Sequence, residues 1–339
     1  MITTFQIRLE PAGGSFACRS DQTVLDAAVE AGYWLPHSCR GGSCGSCMLA
    51  LVAGEVQHSA AEQATAVSTL VAGHCLTCQA QPRSDLVLEA PGMAAEPGQR
   101  VVKAAARVMA VTRPSADVVI VKVQVPAQAG WQFKAGQYAE VVLRDGTRRS
   151  YSMANAPNEQ GEIEWHVRRI EGGRFSPHAY DALKARDLLR IEGPFGDFTL
   201  KSGSAPVILL ASGTGYAPIA ALLATHGAEL AARGATLYWG GRRPSDLYAL
   251  DSEAAWLDRY PGIKIVPVYS EGNAETGAQA SVRRGFVHQA VLDDHADLSA
   301  HQVYACGNPL MIDAAKAEFT ARAGLKPDCF FSDAFVFRA

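Results

Sequence analysis

A group of cysteines near the start of the chain carries the clearest chemical signal in the sequence. Cys39, Cys44 and Cys47 follow a C-x4-C-x2-C pattern with glycines between them, and Cys75 and Cys78 come later. Thiolates at this spacing hold a plant-type [2Fe–2S] cluster, and glycines let backbone N–H groups approach its sulfurs. A zinc site is the alternative, because a second C-x2-C hook is present. The pattern predicts an iron–sulfur cluster, and spacing alone leaves both later cysteines open as its fourth ligand.

A second group of residues is suited to binding phosphates and a flat ring. In Arg149-Ser150-Tyr151-Ser152 the arginine can pair with a phosphate, the tyrosine can stack on a ring, and the last serine adds a small hydroxyl. The segment Gly172-Gly173-Arg174-Phe175-Ser176 precedes an expected helix, where backbone N–H groups can reach a pyrophosphate. Arg168, on the strand before it, would face either phosphates or solvent. An ordinary strand end with an exposed arginine is the alternative for the first motif.

A glycine turn after an apolar strand marks a third candidate site. Gly213-Thr214-Gly215 follows the apolar run 207–211, and we expect Pro218 at the first position of the next helix. The free N–H groups and the dipole of such a helix end bind a dinucleotide pyrophosphate. The motif departs from G-x-G-x-x-G, because a proline takes the third position and no acidic residue follows at the usual spacing.

Two later segments bear on the nucleotide and on the reacting atoms. Arg242 and Arg243 follow another buried-strand pattern, where the 2′-phosphate of NADPH would need cations. Cys306-Gly307 ends a further strand, and a buried structural cysteine is the alternative there.

Composition limits the classes of function that fit these 339 residues. The chain is 48% apolar with a net charge of −3, so we expect neither disorder nor strong attraction to nucleic acid or membranes. No apolar run could span a bilayer and the N-terminus lacks a signal-peptide pattern, so a cytoplasmic location is expected. Residues 1–90 hold four Arg, no Lys and eight Asp or Glu, a net charge of −4. This asymmetry indicates a separate acidic unit.

Hydrophobic patterning divides the chain into three parts and a linker. Residues 91–101 have a linker composition, 102–200 hold short β-like runs typical of a small antiparallel barrel, and 201–339 alternate strands and helices like a parallel α/β sheet. Thr23 is expected to cap a helix that Gly32 ends. The predicted strands are 2–10, 15–19, 86–89, 104–112, 118–125, 138–144, 163–168, 207–211, 235–239, 264–269 and 302–305, and the later helices are 218–233 and 308–323.

Together these motifs resemble the ferredoxin–NADP reductase superfamily, in particular NADH-dependent oxygenase reductases with an N-terminal plant-type ferredoxin domain. The resemblance rests on VLDAAVEAGYWLPHSCRGGSCGSC with a later LTCQ, on R-x-Y-S, on G-T-G-x-A-P and on the Cys-Gly pair, in that order. It implies a multidomain α+β and α/β chain. The implied domains are a β-grasp ferredoxin domain at 1–90, a linker at 91–101, a six-stranded antiparallel FAD barrel at 102–200 and a parallel α/β NAD(P)H domain at 201–339.

The resemblance also implies roles for individual residues. A Leu-x-Cys-Gln element makes Cys78 rather than Cys75 the fourth ligand, with Cys39, Cys44 and Cys47. The implied catalytic residues are Ser152 beside the flavin N5, Cys306 near the nicotinamide and Asp333 near the flavin ring, where an aromatic of the C-terminal segment also lies. The implied cofactor-binding residues are Arg149, Ser150, Tyr151, Ser152, His166, Val167, Arg168, Gly172, Gly173, Arg174, Phe175, Ser176, Gly213, Thr214, Gly215, Pro218, Arg242, Cys306, Gly307 and Phe335.

The implied cofactors are FAD, a [2Fe–2S] cluster and NADH, with NADPH as an alternative. The implied function is an oxidoreductase that passes electrons from NADH through FAD and the cluster to an oxygenase component, either an aromatic ring-hydroxylating dioxygenase or a monooxygenase. The flavin is needed because nicotinamide gives two electrons and the cluster accepts one. The alternatives are a reductase for a sugar-deoxygenating enzyme, a free-flavin reductase, and an electron carrier with an inactive flavin site. We expect a monomer with no nucleic-acid or membrane partner.

Overall fold

A computed structural model describes residues 2–11, 13–42, 44–58, 70–91, 100–250, 258–271 and 283–335. The chain forms two compact units, one of Met1–Val101 with Phe195–Asp197 and one of Val102–Pro194 with Phe198–Ala339. Most of the predicted linker lies outside the described residues. The predicted domain bounds stay predictions.

The first unit is a mixed sheet with one helix against it. Its strands lie in the order β2-β1-β7-β3-β5, β1 and β7 run parallel, and the pairs β1–β2, β3–β5 and β3–β7 are antiparallel. A separate ladder pairs β4 with β6. The bounds are β1 Thr4–Glu10, β2 Gly14–Arg19, α1 Val24–Glu30, β3 Met48–Ala53, β4 Val56–His58, β5 His74–Leu76, β6 Ala80–Pro82 and β7 Leu86–Glu89.

Local sequence explains how α1 is placed. The Thr23 hydroxyl accepts a hydrogen bond from the Asp26 N–H at 3.2 Å, as expected for a helix cap. Gly32 then adopts a φ of +83°, a conformation that glycine takes without steric cost and that ends the helix. Val24, Leu25 and Ala28 are buried against the sheet. The helix therefore leads the chain directly into the cysteine segment.

The second unit begins with a six-stranded barrel. The strand order is β11-β10-β13-β8-β9-β12, and a bridge between Met153 and Trp165 joins the chain at the two ends of this order. Trp165 and Val167 point into the core of the barrel. The bounds are β8 Val102–Thr112, β9 Val118–Gln124, β10 Tyr138–Val142, β11 Arg148–Ser152, β12 Glu162–Arg168, α2 Ser176–Asp181 and β13 Leu188–Phe195.

A parallel sheet completes the second unit. Its order is β17-β16-β15-β14-β18-β19, and every pair in it is parallel. Strand order reverses between β14 and β18, and ligands of open α/β sheets bind beyond the carboxyl ends of strands at such a point. The bounds are β14 Val207–Ser212, α3 Tyr216–Ala232, β15 Thr236–Gly241, β16 Lys264–Tyr269, β17 Arg283–Arg284, α4 Val287–Asp294, β18 Gln302–Gly307, α5 Pro309–Ala323 and β19 Phe330–Ala334.

The predicted fold class is confirmed in all three parts, but the predicted start of one helix is wrong. The helix after the glycine turn begins at Tyr216, so Pro218 is its third residue and not its first. A proline is tolerated there because the first N–H groups of a helix have no partner within the helix. Among the described residues, no helix combines the length and apolar character needed to cross a membrane.

Candidate functional site

The cysteine segment brings four thiols together as two pairs. The Cys47 Sγ lies 3.1 Å from the Cys78 Sγ, and the Cys44 thiol is hydrogen-bonded to Cys39. The Gly41 N–H donates to the Cys39 Sγ at 3.4 Å, and the Gln79 amide lies 3.8 Å from the Cys78 Sγ. N–H donors therefore already point at sulfur, as the ligands of a cluster require.

The two pairs fit a two-iron cluster better than a single ion. Within the described ranges, no three His, Cys, Asp or Glu side chains are grouped as ligands of one metal ion. Each iron of a [2Fe–2S] cluster takes two thiolates, so two adjacent pairs match its donor set. Hydrogen bonding to the neighbouring thiol and burial raise the pKa of both Cys44 and Cys47. Positive irons would offset the cost of ionising these buried thiols.

Cys75 has a different environment. It lies on β5 opposite Leu49, is fully buried, and burial alone raises the pKa of its thiol to about 12. Cys78 instead lies one residue before Gln79 and against Cys47. The geometry supports the assignment of Cys78 as the fourth ligand, which stays a prediction.

A second constellation joins the barrel to the parallel sheet. Ser152, at the end of β11, donates a hydrogen bond of 3.3 Å to the Asp333 carboxylate on β19. Asp333 pairs in register with Cys306 on β18, and all three side chains are buried. Burial and the negative charge of Asp333 raise the pKa of the Cys306 thiol, which keeps it protonated. The structure thus brings together the three residues that the sequence named as catalytic.

The first predicted flavin segment lies on β11, and the second forms the turn between β12 and the first residue of α2. The Tyr151 ring packs against Phe175, with ring centroids 5.4 Å apart, and burial raises the pKa of Tyr151. A Cβ on Gly173 would lie 2.7 Å from the Ser176 hydroxyl, so a side chain there would force the segment before α2 to shift. Ser176 Oγ accepts from the Ile170 N–H, which holds this segment in a tight turn.

Arg174 and residues of the adjacent barrel strands line an open cavity. The Arg174 guanidinium lies 2.5 Å from the Asp145 carboxylate and is half exposed. A cavity of about 880 Å³ adjoins it, with a volume in the range of cofactor sites. The cavity is lined by Val141, Val142, Leu143, Arg144, Asp145, Arg174, Phe175, His178, Leu188, Leu189 and Arg190. Its arginines suit the phosphates of a flavin nucleotide.

The turn after β14 packs backbone against backbone on the end of β18. A Cβ on Gly215 would lie 2.2 Å from the Cys306 carbonyl oxygen, and a Cβ on Gly307 would lie 2.6 Å from the Ser212 carbonyl oxygen. The Asn308 N–H donates to the Ser212 hydroxyl at 2.8 Å. The two glycines therefore let the switch point of the sheet close tightly at the start of α3.

Arg168 is held against this turn with unused hydrogen-bonding capacity. Its guanidinium would lie 3.2 Å from a Cβ on Gly213, and its Nε is 3.3 Å from the Asp117 carboxylate. The buried Nε and Nη2 atoms make no hydrogen bond in the structure. A guanidinium beside a helix N-terminus attracts an anion, so this site suits a pyrophosphate.

His166 and Val167 differ in how they relate to the site. Both imidazole nitrogens of His166 are engaged, with Tyr248 and with Glu164, and the Val167 side chain lies in the barrel core. Any contact of these two residues with a cofactor therefore falls to their backbone. Ser150 is exposed on β11, and Arg149 donates to the Arg148 carbonyl at 2.9 Å.

The arginines after β15 are exposed and only loosely paired. Arg242 lies 4.0 Å from Asp246 and Arg243 lies 3.9 Å from Glu271. Asp246, which the sequence did not single out as a site residue, accepts from the N–H groups of both arginines and so shapes the segment. In the sequence, an aspartate three and four residues after an Arg-Arg pair was the signal that could have identified Asp246.

Phe335 donates its N–H to the Gly307 carbonyl at 2.8 Å.

Family models match three stretches of the chain in order. Residues 7–83 match the 2Fe-2S iron-sulfur cluster binding domain, 105–200 the oxidoreductase FAD-binding domain, and 209–317 the oxidoreductase NAD-binding domain. FAD, a [2Fe–2S] cluster and NADH are thus the cofactors of this architecture. The three matched ranges contain the cysteine pairs, nearly all of the barrel and the switch point, respectively.

Whole-chain relatives share this architecture. The chain is 37% identical over 333 residues to a CDP-6-deoxy-L-threo-D-glycero-4-hexulose-3-dehydrase reductase of Yersinia pseudotuberculosis, covering 98% of this chain and 99% of the relative. It is 34% identical over 333 residues to the terephthalate 1,2-dioxygenase reductase component 1 of Comamonas sp, covering 98% and 97%. A solved structure of an Amycolatopsis cytochrome P450 reductase matches with a TM-score of 0.80 at 31% identity, covering 98% of both chains. The chain belongs to the NADH-dependent reductases of the ferredoxin–NADP reductase superfamily that carry an N-terminal 2Fe-2S ferredoxin domain.

Proposed function

We propose that this oxidoreductase takes electrons from NADH and delivers them singly to an oxygenase component that acts on an aromatic compound. The electrons leave from the first unit, which holds the cysteine pairs and is called the ferredoxin unit. The observation that carries the proposal is the pairing of Cys39 with Cys44 and of Cys47 with Cys78. A free-flavin reductase would need no such thiol site. Relatives named as reductase components of terephthalate dioxygenase and of xylene/toluene monooxygenase support the partner class.

The chain's own residues would position the reactants. Bound FAD and a bound [2Fe–2S] cluster supply the conversion of a two-electron hydride into single electrons. Arg168 and the Gly213–Gly215 turn would bind the pyrophosphate of NADH, since Arg168 has N–H groups without a hydrogen bond and the turn has no side-chain cap. Ser152 and Asp333 would orient the nicotinamide and flavin rings, and the neutral Cys306 thiol would fill the space beside them without adding charge.

The test separates the two halves of the electron path. A Cys44→Ser variant should still reduce ferricyanide with NADH, because the flavin alone can do so. It should lose most of its cytochrome c reduction and its support of the oxygenase. Cys329→Ser, a half-buried cysteine far along the chain, is the matched control and should retain both activities. Equal cytochrome c reduction by the Cys44 variant and the control would contradict the proposal.

A dehydrase partner is the second candidate, and one observation favours it. The Yersinia relative at 37% identity is named as the reductase of a sugar dehydrase. Both candidates use the same cofactors and the same thiol pairs, so the chain itself does not distinguish them. Purified oxygenase and dehydrase components, each titrated with this reductase and NADH, should differ in turnover. Saturable product formation with the dehydrase alone would replace the oxygenase assignment.

A further inference from the structure

The outer face of β12 carries a chain of hydrogen bonds. The proposed electron transfer assigns no role to these side chains. Lys122 Nζ lies 2.9 Å from one Glu164 oxygen, and the other Glu164 oxygen lies 2.9 Å from His166 Nε2. His166 Nδ1 then lies 2.8 Å from the Tyr248 hydroxyl. Four side chains thus connect strands β9 and β12 of the barrel to the segment that follows β15.

The charge on Glu164 sets the direction of these hydrogen bonds. Burial acts to raise the pKa of Glu164, but hydrogen bonds from His166 and Lys122 outweigh it and lower the pKa to about 2. The carboxylate therefore accepts, and His166 Nε2 donates. With its ring proton on Nε2 alone, the imidazole can accept at Nδ1 from the Tyr248 hydroxyl.

The His166 ring also supports the glycine turn. Tyr216, the first residue of α3, lies between His166 and Trp239, with ring centroids 6.2 Å and 4.1 Å away. Trp239 Nε1 donates to the Gly213 carbonyl at 3.0 Å. Tyr248 closes the group by meeting both His166 and Trp239 edge-on. One buried imidazole of the barrel therefore meets the segment after β15 through Tyr248 and reaches the glycine turn through Tyr216 and Trp239.

We propose that His166 is a positioning residue for the nicotinamide nucleotide. From its place on the barrel, the His166 side chain holds the segment 242–248 and the Gly213–Gly215 turn in the conformation that binds the nucleotide. The inference rests on the nucleotide site of the proposed function. A segment that is already ordered loses less conformational entropy when a ligand binds. Loss of the His166–Tyr248 hydrogen bond should therefore weaken nucleotide binding more than it slows the reaction of bound nucleotide.

The test measures binding apart from turnover. His166→Phe and Tyr248→Phe are each expected to raise the Kd for NAD+ about 2- to 10-fold, the range for one neutral hydrogen bond. Calorimetric titration of the FAD-loaded protein with NAD+ and with ADP-ribose gives this value. The KM for NADH in ferricyanide reduction should rise by a similar factor, with a smaller fall in kcat. His166→Gln, whose amide oxygen can accept from Tyr248, should restore part of the affinity.

A double variant and a matched control complete the design. If both residues act through one hydrogen bond, the Kd of His166→Phe/Tyr248→Phe should equal that of one single variant. Tyr180→Phe removes a comparable bond of 3.1 Å to the Ser115 carbonyl and should leave the Kd unchanged. Unchanged affinity in both single variants, full additivity in the double variant, or loss of FAD as the main effect would each overturn the proposal. The titration needs no electron acceptor, so its result stands even if the partner assay fails.

Discussion

The hydrogen bond from Ser152 to Asp333 places a hydroxyl and a carboxylate from two different β-sheets at one point. Neither side chain has room to move, because both are buried. On the proposed function this point lies where hydride leaves the nicotinamide. The roles of these residues can therefore be tested by changing one hydroxyl.

Replacing Ser152 by alanine should slow reduction of the flavin by NADH about 10-fold or more, since a hydrogen bond to a charged group contributes about 1.5–3 kcal/mol. Anaerobic stopped-flow measurement of flavin absorbance follows this step directly. FAD occupancy should stay at the level of the unchanged protein. Ser204→Ala, at an exposed position, is the control. An equal rate in the two variants would remove Ser152 from the reacting centre.

The cysteine assignment makes a second prediction for single residues. Cys75→Ser should keep its iron, because the Cys75 thiol lies on β5 apart from the two thiol pairs. Cys78→Ser should lose iron and visible absorbance, because it breaks the pair with Cys47. Iron per chain and the visible spectrum measure both outcomes. If only the Cys75 variant lost iron, Cys75 would be the fourth ligand and Cys78 would not.

For single residues, the sequence predicted sites that are defined by spacing along the chain. It predicted less well the contacts between residues that are far apart in sequence. The C-x4-C-x2-C pattern predicted the cysteine site directly, but the choice between Cys75 and Cys78 needed a resemblance. Arg168 was predicted to face either phosphates or solvent, and its approach to Gly213 depends on contact between two parts of the chain far apart in sequence. Spacing along a chain does not report such contacts.

Among the structural elements, the turn after β14 lies so close to the end of β18 that it leaves no room for a side chain. Gly215→Ala would place a methyl group 2.2 Å from the Cys306 carbonyl oxygen, so the turn or the strand end must shift. We expect lower thermal stability, by about 1–3 kcal/mol, and loss of NAD+ binding with FAD and iron retained. Thermal unfolding and NAD+ titration measure the two effects.

Gly234→Ala serves as the control for this steric prediction. Gly234 adopts a φ of +61°, and a Cβ there would meet nothing within 4 Å. It therefore measures the cost of backbone strain without overlap, about 1–2 kcal/mol. Retained NAD+ binding in both variants would mean that the turn adapts to the methyl group.

Element prediction succeeded for many strands of the chain, but the apolar run of β3, Met48–Ala53, and several polar or short strands were not predicted. Strand β16 at Lys264–Tyr269 matches its prediction residue for residue. Strand β11, Arg148–Ser152, was not predicted as a strand because it contains two arginines and two serines. Its pairing with β10 overrides this weak local preference. Strand β19 lacked a prediction for a similar reason, since the parallel partner β18 stabilises it.

For the whole molecule, the uneven charge of the chain bears on how a partner is met. Residues 1–90 carry a net charge of −4 and the remaining residues carry +1. A bound cluster with four thiolates would add further negative charge to the first unit. A partner with a basic surface would then be attracted to the ferredoxin unit, and this attraction is screened beyond ~8 Å at physiological salt.

Salt should therefore slow partner reduction much more than direct reduction of a small acceptor. Turnover of the oxygenase, measured with the reductase limiting, should fall steeply as ionic strength rises. Ferricyanide reduction by the same protein should change far less and serves as the internal control. If the acidic residues only keep the unit soluble, the two activities will respond equally to salt.

Ser152 and Asp333 are separated by 181 positions in the chain, and this separation has a consequence during protein synthesis. The ribosome completes the barrel with Ser152 long before it makes β19 with Asp333. A chain whose translation stops between Phe195 and Phe330 would carry the cysteine pairs and the barrel strands but lack the carboxylate that Ser152 meets. On the proposed function such a fragment should reduce its flavin with NADH more slowly than the whole chain does.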